Sequence, residues 1–136
     1  MLNLFQFTAI KKVGFEDVLY AISQPKKYIL INTLPASNQE CLIIGTTPIS
    51  MEEEEINNML NKYETKSIIV YGKNGNDETA EKKCKQLLSL GFTDVYMYMG
   101  GLFEWLLLQD IYGSNNFMTS SKVTDILIYR PAPSLK

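Results

Sequence analysis

Residues 72–77 are the part of this chain best placed to do chemistry. Gly72-Lys73-Asn74-Gly75-Asn76-Asp77 follows the apolar run Ile68–Tyr71 and precedes a helical period with Ala80, Cys84, Leu87 and Leu88 on one side. A strand, a short glycine-containing loop and a helix in this order can hold an anion. Backbone N–H groups turn into such a loop, and the helix dipole adds positive potential. This loop lacks the Gly-Lys-Ser/Thr ending of a nucleotide-binding P-loop. Its charges also oppose an anion: Asp77 and Glu78 stand at the helix start, and Lys73 alone counters them. The expected anion affinity is no tighter than millimolar, about −4 kcal/mol. Lys73 reads as a solvated loop lysine.

Other reactive groups are scarce. There is no histidine, which excludes Ser-His-Asp and Cys-His catalysis and removes the commonest zinc ligand. The two cysteines, Cys41 and Cys84, are far apart and form neither a disulfide framework nor a metal-ligand cluster. Cys84 lies about two turns into the predicted helix on its apolar side, and Cys41 opens another short apolar run. Both read as small core residues, since a thiol in apolar surroundings has a raised pKa and reacts poorly. No metal and no cofactor are expected. A net charge of −2, from 13 basic and 15 acidic residues, gives no strong pull toward nucleic acid or an anionic membrane. No apolar run is long enough to span a bilayer, and Met1–Phe5 lacks the basic start of a signal peptide. The expectation is an intracellular protein, cytoplasmic or organellar (mitochondrial, for example).

The elements that must position the loop can be read from periodicity. Leu4–Thr8 reads as a short strand. Gly14–Ile22 reads as a helix with Phe15, Val18, Leu19 and Ile22 on one side, ended by Pro25. Tyr28–Asn32 is a continuous apolar strand, and Cys41–Ile44 reads as a second one, stopped by Gly45. A helix is expected from Ser50, with Ser50 and Glu53 as a capping box. Glu52–Glu55 crowd its positive end, and Ile56, Met59, Leu60 and Tyr63 lie on one side. Ile68–Tyr71 is the next strand, Gly91 ends the helix after the loop, and Val95–Met99 is the last core strand. Gly100-Gly101 then turns the chain into a short, nearly all-apolar helix, Leu102–Gln109. Strands alternating with helices imply βαβ units and a mainly parallel sheet, whose functional site lies beyond the carboxyl ends of the strands.

The segment Ile68-Ile-Val-Tyr-Gly-Lys-Asn-Gly-Asn-Asp77 resembles the active-site segment of rhodanese-like domains. Leu90-Gly-Phe-Thr-Asp-Val-Tyr96 and Gly100-Gly-Leu-Phe-Glu-Trp105 are similar to that family's next two segments, a G-F-x-x-V strand and a G-G-x-x-x-W turn. Leu30-Ile-Asn32 resembles its Leu-Ile-Asp. The likeness covers about residues 4–110. It implies an α/β three-layer sandwich: a mainly parallel, five-stranded sheet with helices on both faces. It also implies that the first loop position carries the cysteine that accepts sulfur as a persulfide. That position is Gly72. The loop's last position, often arginine in the family, is Asp77; the usual aspartate is Asn32, and the arginine two places on is Leu34. Thiolate chemistry needs a thiolate, and nothing else in residues 72–77 supplies one. A phosphatase reading fails in the same way.

The expectation is therefore a rhodanese-like domain over residues 1–112 with an extension over 113–136. Its function would be non-catalytic: a protein-interaction or scaffold module, a subunit of a larger assembly, with residues 72–77 as a degenerate active-site loop. The rival readings are a sulfurtransferase or phosphatase with an unrecognised nucleophile, and a small-anion sensor. Phe103, Leu106, Leu107 and Leu108 are more apolar than one buried helix side requires, and the extension carries Phe117, Met118 and the run Ile126–Tyr129. A partner-binding surface is accordingly expected at Phe103, Leu106, Leu107, Ile126, Ile128 and Tyr129. The last run would be an extended strand that pairs with a sheet edge and is stopped by Pro131 and Pro133. The alternative is that the extension folds back and seals the domain's own core.

Overall fold

The computed structural model describes residues 10–62 and 66–135. The strand expected at Leu4–Thr8, and Tyr63, lie outside the described residues. The elements are β1 (Lys11–Val13), α1 (Phe15–Ile22), β2 (Tyr28–Asn32), α2 (Ile49–Lys62), β3 (Ser67–Tyr71), α3 (Glu78–Ser89), β4 (Val95–Tyr98) and α4 (Gly101–Tyr112). Two short 3-10 helices, Ala36–Asn38 and Ile126–Tyr129, lie in connecting segments.

The strands form one parallel sheet in the order β1-β4-β3-β2. β2 and β3 are apolar at successive positions because both faces of the sheet are covered. Alternate side chains divide between two cores. Leu30, Ile69, Tyr71 and Tyr98 pack with Val18 and Ala21 of α1 and with Leu102, Trp105 and Leu106 of α4. Ile29, Ile31, Ile68, Val70 and Val95 pack with Ile56 and Met59 of α2 and with Ala80, Cys84 and Leu87 of α3. The three-layer arrangement with helices on both faces is thus as expected.

The described residues hold four strands rather than five. Cys41, Leu42 and Ile43 are buried and Ile44 half-buried, but the segment forms no strand beyond a single antiparallel bridge from Ile43 to Thr119. Leu42 N–H donates to Ser120 Oγ (3.0 Å) and Ile43 N–H to the Tyr71 hydroxyl (3.1 Å). Gly45, at φ 85°, then turns the chain so that Thr46 N–H bonds Ile43 O. What remains of a strand beside β2 is one parallel bridge, Leu30 to Thr46. Apolar composition marked this segment as buried; its hydrogen-bond partners make it a loop. The start of α2 also differs. Ile49 opens the helix, and Met51 N–H bonds Pro48 O (2.9 Å), so Pro48 rather than a Ser50 capping box sets the boundary.

The extension is part of the core. Phe117 stands edge-on to Phe15 (centroids 5.6 Å apart) and to Trp105 (5.2 Å). The Trp105 indole N–H donates to Met118 O (3.1 Å), and Gln109 Nε2 donates to Phe117 O (2.7 Å). Ile126–Tyr129 is a 3-10 helix and not the expected strand. Asp125 caps it by accepting from Leu127 N–H (3.1 Å), and Tyr129 is buried against the same core. Of the six residues expected to face a partner, Leu106 and Tyr129 are therefore core. Phe103 and Ile126 are half-buried, and Leu107 and Ile128 are exposed. No described helix is long and apolar enough to cross a membrane.

This packing predicts that Phe117→Ala costs on the order of 3 kcal/mol and lowers the melting midpoint by about 10 °C. Deleting residues 114–136 exposes Trp105 and Phe15 and produces aggregation. Differential scanning calorimetry and light scattering check both, and a truncated protein that melts like the full chain would contradict the packing.

Candidate functional site

The strand register brings the candidate loops together. Asn32 pairs with Tyr71, Tyr71 with Tyr98, and Tyr98 with Val13, so β2, β3 and β4 end level. The segments that follow Asn32, Tyr71 and Tyr98 leave the sheet side by side, at its carboxyl edge, where βαβ sheets place their sites.

After β2, Asn32 is the one buried polar side chain among the described residues. It forms a reciprocal amide pair with Gln39: Asn32 Nδ2 donates to Gln39 Oε1 (3.1 Å), and Gln39 Nε2 donates to Asn32 Oδ1 (2.8 Å). Asn32 Oδ1 also accepts from Leu34 N–H (3.1 Å). The asparagine spends its hydrogen bonds on shaping its own loop, and Leu34 is buried. Thr33 N–H bonds Tyr71 O (2.9 Å), which ties this loop to the next.

After β3, the loop of residues 72–77 is held from two sides. The N-terminal N–H groups of α4 need acceptors, and the loop supplies them: Leu102 N–H bonds Gly72 O (3.0 Å) and Phe103 N–H bonds Lys73 O (2.9 Å). This approach requires a glycine at position 101. Its φ is 65°, and a Cβ there would lie 2.8 Å from both Asn74 N and Gly72 O. From the other side, Asp77 caps α3. Its Oδ1 accepts from Thr79 N–H (3.0 Å) and from the Thr79 hydroxyl (2.6 Å). Its Oδ2 reaches back across the loop to Lys73 N–H (2.8 Å). Asn74 Oδ1 accepts from Asn76 N–H (2.9 Å), and Asp77 N–H bonds Asn74 O (3.2 Å). The N–H groups of Lys73, Asn76 and Asp77 are thus engaged within the loop.

Position 72 is crowded by the same carboxylate. A Cβ built on Gly72 would lie 2.6 Å from Asp77 Oδ2, 2.9 Å from Asp77 Cγ and 3.1 Å from Thr33 Oγ1. Partial burial pushes the Asp77 pKa up. The hydrogen bonds from Lys73 N–H and from Thr79, together with the Lys73 ammonium, outweigh it and hold the carboxyl below its usual range.

The cysteines lie elsewhere. Both are free and buried, and neither lines the two cavities beside the loop. Burial, helped by Glu81, pushes the Cys84 thiol up to about 11, so it is protonated at neutral pH. Cys41 Sγ donates to Ser121 O (3.3 Å). Cys41 begins no strand; it sits in the loop stitched to the extension.

Two features had not been expected from sequence. Asn74 Nδ2 donates to Tyr129 O (2.9 Å), which pins the extension to the loop. As a result Arg130, the chain's one arginine, stands on the rim of a cavity of about 520 Å³ that also exposes Lys73 and Asp77. The Asp-x-Thr pattern at Asp77 signals a helix cap. Nothing local to Arg130 signals where it goes.

A family model for the rhodanese-like domain matches residues 24–108. The chain belongs to the rhodanese-like family. No match was found among curated proteins. Among solved structures, the rhodanese-like fold is shared with a Saccharomyces cerevisiae protein described as a homolog of single-domain rhodanese and Cdc25 phosphatase catalytic domain. That protein has a TM-score of 0.68 at 12% identity, over 96% of this chain and 98% of that one. A Bacillus halodurans protein gives 0.56 at 23% identity, over 76% and 74%. A thiosulfate sulfurtransferase from Pseudomonas aeruginosa gives 0.56 at 23% identity, over 72% of this chain but only 19% of its own length. At these identities the neighbours establish the rhodanese-like fold.

The dual role of Asp77 predicts a pH signature. A carboxyl held below its unfolded value, near 3.8, stabilises the fold above that value, and the contribution disappears as pH falls through the folded value. Asp77→Ala should cost about 1 kcal/mol at neutral pH, as for loss of a helix cap. The gap from the parent should close below about pH 4. Urea unfolding at pH 7 and pH 3 measures it; a gap that is the same at both would contradict an ionised cap.

Proposed function

We propose that this rhodanese-like domain is a non-catalytic protein-interaction or scaffold module, a subunit of a larger intracellular assembly. The observation that carries the reading is the Asp77 carboxylate. It occupies the space that a side chain at position 72 would need, 2.6 Å from where a Cβ would stand. The family resemblance puts the sulfur-accepting cysteine at that position, and sulfur transfer requires its thiolate in the loop. Here a fixed negative charge stands in that space instead. The Lys73 N–H is already taken by this carboxylate and the Asn76 N–H by Asn74 Oδ1, so neither is open to an incoming thiosulfate or phosphate.

The competing reading is a sulfurtransferase or phosphatase that uses another nucleophile. Cys84 and Cys41 are the available thiols, and their burial in the two cores weighs against it. The remaining function is contact with other proteins. The exposed apolar side chains of Leu107, Ile111, Tyr112 and Ile128 fit that role better than they fit an isolated surface.

The test is sulfur transfer from thiosulfate to cyanide by the purified protein. Turnover should not exceed a no-protein control, and Gly72→Cys alone should stay inactive because its Cβ meets Asp77. Turnover in the parent that is lost in Cys84→Ser or Cys41→Ser would overturn the proposal in favour of an enzyme.

A further inference from the structure

The cavity at the mouth of the 72–77 loop is built by three segments distant in sequence: the stretch after β2, the loop itself, and the extension. Thr33, Lys73, Asn74, Asn76, Asp77 and Arg130 contribute to its lining, with Pro35 and Ala132 as apolar wall. Arg130 is brought there by construction. Tyr129, its neighbour, is buried in the core, and Tyr129 O is held by Asn74 of the loop. One guanidinium nitrogen, Nη1, donates to Leu127 O (2.7 Å), which holds one end of the group and leaves its other donors for a ligand. Neither Lys73 nor Arg130 enters an ion pair among the described residues.

The charges favour an anion. Lys73 and Arg130 bring two positive charges, and Asp77 brings one negative charge to the same lining, a balance of about one positive charge. A higher charge on the ligand scales the attraction to the two cations and the repulsion from Asp77 alike, so the choice among anions falls to shape and size. The planar fork of arginine pairs with a carboxylate through two parallel hydrogen bonds. The cavity is far larger than a free carboxylate, and the Pro35 and Ala132 wall suits the carbon chain that would carry one.

We infer that this cavity binds a glutamate or aspartate carboxylate of an acidic peptide, with Arg130 and Lys73 as the paired cations. The inference rests on the scaffold reading and names the chemistry of the partner segment. It also revises the anion ledger drawn from sequence, in which Lys73 stood alone.

Binding of acetyl-tetraglutamate-amide to the full chain, followed by NMR titration at low salt, tests it. Acetate serves as the free-carboxylate probe and inorganic phosphate as the dianion. Saturable binding is expected, about tenfold tighter for tetraglutamate than for acetate or phosphate. Arg130→Ala and Lys73→Ala should each weaken it by about fivefold or more. Asp77→Asn, which keeps an oxygen for the Lys73 N–H, should tighten it. Lys82→Ala, on a different cavity between α2 and α3, should leave it unchanged. Absence of saturation, binding that survives Arg130→Ala, or phosphate binding more tightly than tetraglutamate would overturn the site. Acetate binding as tightly as tetraglutamate would overturn the peptide as its occupant. Each of these failures leaves the sulfur-transfer result untouched, so the two readings can fail separately.

Discussion

The carboxylate of Asp77 spans the loop beyond β3, with one oxygen on the start of α3 and the other on Lys73 N–H. Most of the site's geometry follows from that bridge. It closes the ring of residues 72–77 and crowds position 72, where a Cβ would force the carboxylate out of this position. It also leaves the loop carbonyls turned outward, where Leu102 and Phe103 N–H can reach them. The carboxylate supplies the acceptor for Lys73 N–H, while Asn74 supplies those for the N–H groups of Asn76 and Asp77. The cost of bringing a carboxylate into a half-buried loop is offset by a helix cap, a hydroxyl and a backbone amide, all on one side chain.

β2, β3 and β4 were legible from composition because a doubly covered sheet leaves a continuous apolar run, whereas β1, Lys11–Val13, begins with two exposed lysines and was not expected as a strand. Tyr28–Asn32 is a strand over the whole of the predicted range. The same signal misleads at Cys41–Ile44 and Ile126–Tyr129, which are equally apolar. Whether such a run becomes a strand depends on who accepts its hydrogen bonds. In the first case the partners are Ser120 and Tyr71, and in the second a local Asp125 cap; one is distant in sequence and the other easily overlooked. At the site, the residue types at positions 72 and 77 could be read directly. The direction of the second Asp77 oxygen could not, because it depends on how far the loop curls. Arg130 was invisible for a different reason: its place is set by the burial of Tyr129, one residue away, and by an amide 55 positions earlier.

The extension changes what counts as the domain. Trp105, fully buried, has its indole N–H on Met118 O and its ring against Phe117. The excess of apolar residues on α4 is therefore partly absorbed by the chain itself. Leu106 faces the core, whereas Leu107 and Ile111 remain in solvent. The apolar load of one helix is split between an internal seal and an external surface.

The strand order has a consequence for synthesis on the ribosome. Among the described residues β1 is the earliest strand and pairs with β4, the latest, alone, and the core above them is completed by Phe117 and Tyr129. While α4 is still emerging, Phe15 and Trp105 have no Phe117 to stand against. Such late, long-range closure folds slowly and leaves apolar surface open in the interval. A nascent chain of this protein can assemble β2 and β3 early, but β1 and β4 must wait for each other. The domain becomes a finished body only when α4 and the segment that carries Phe117 and Tyr129 have left the exit tunnel.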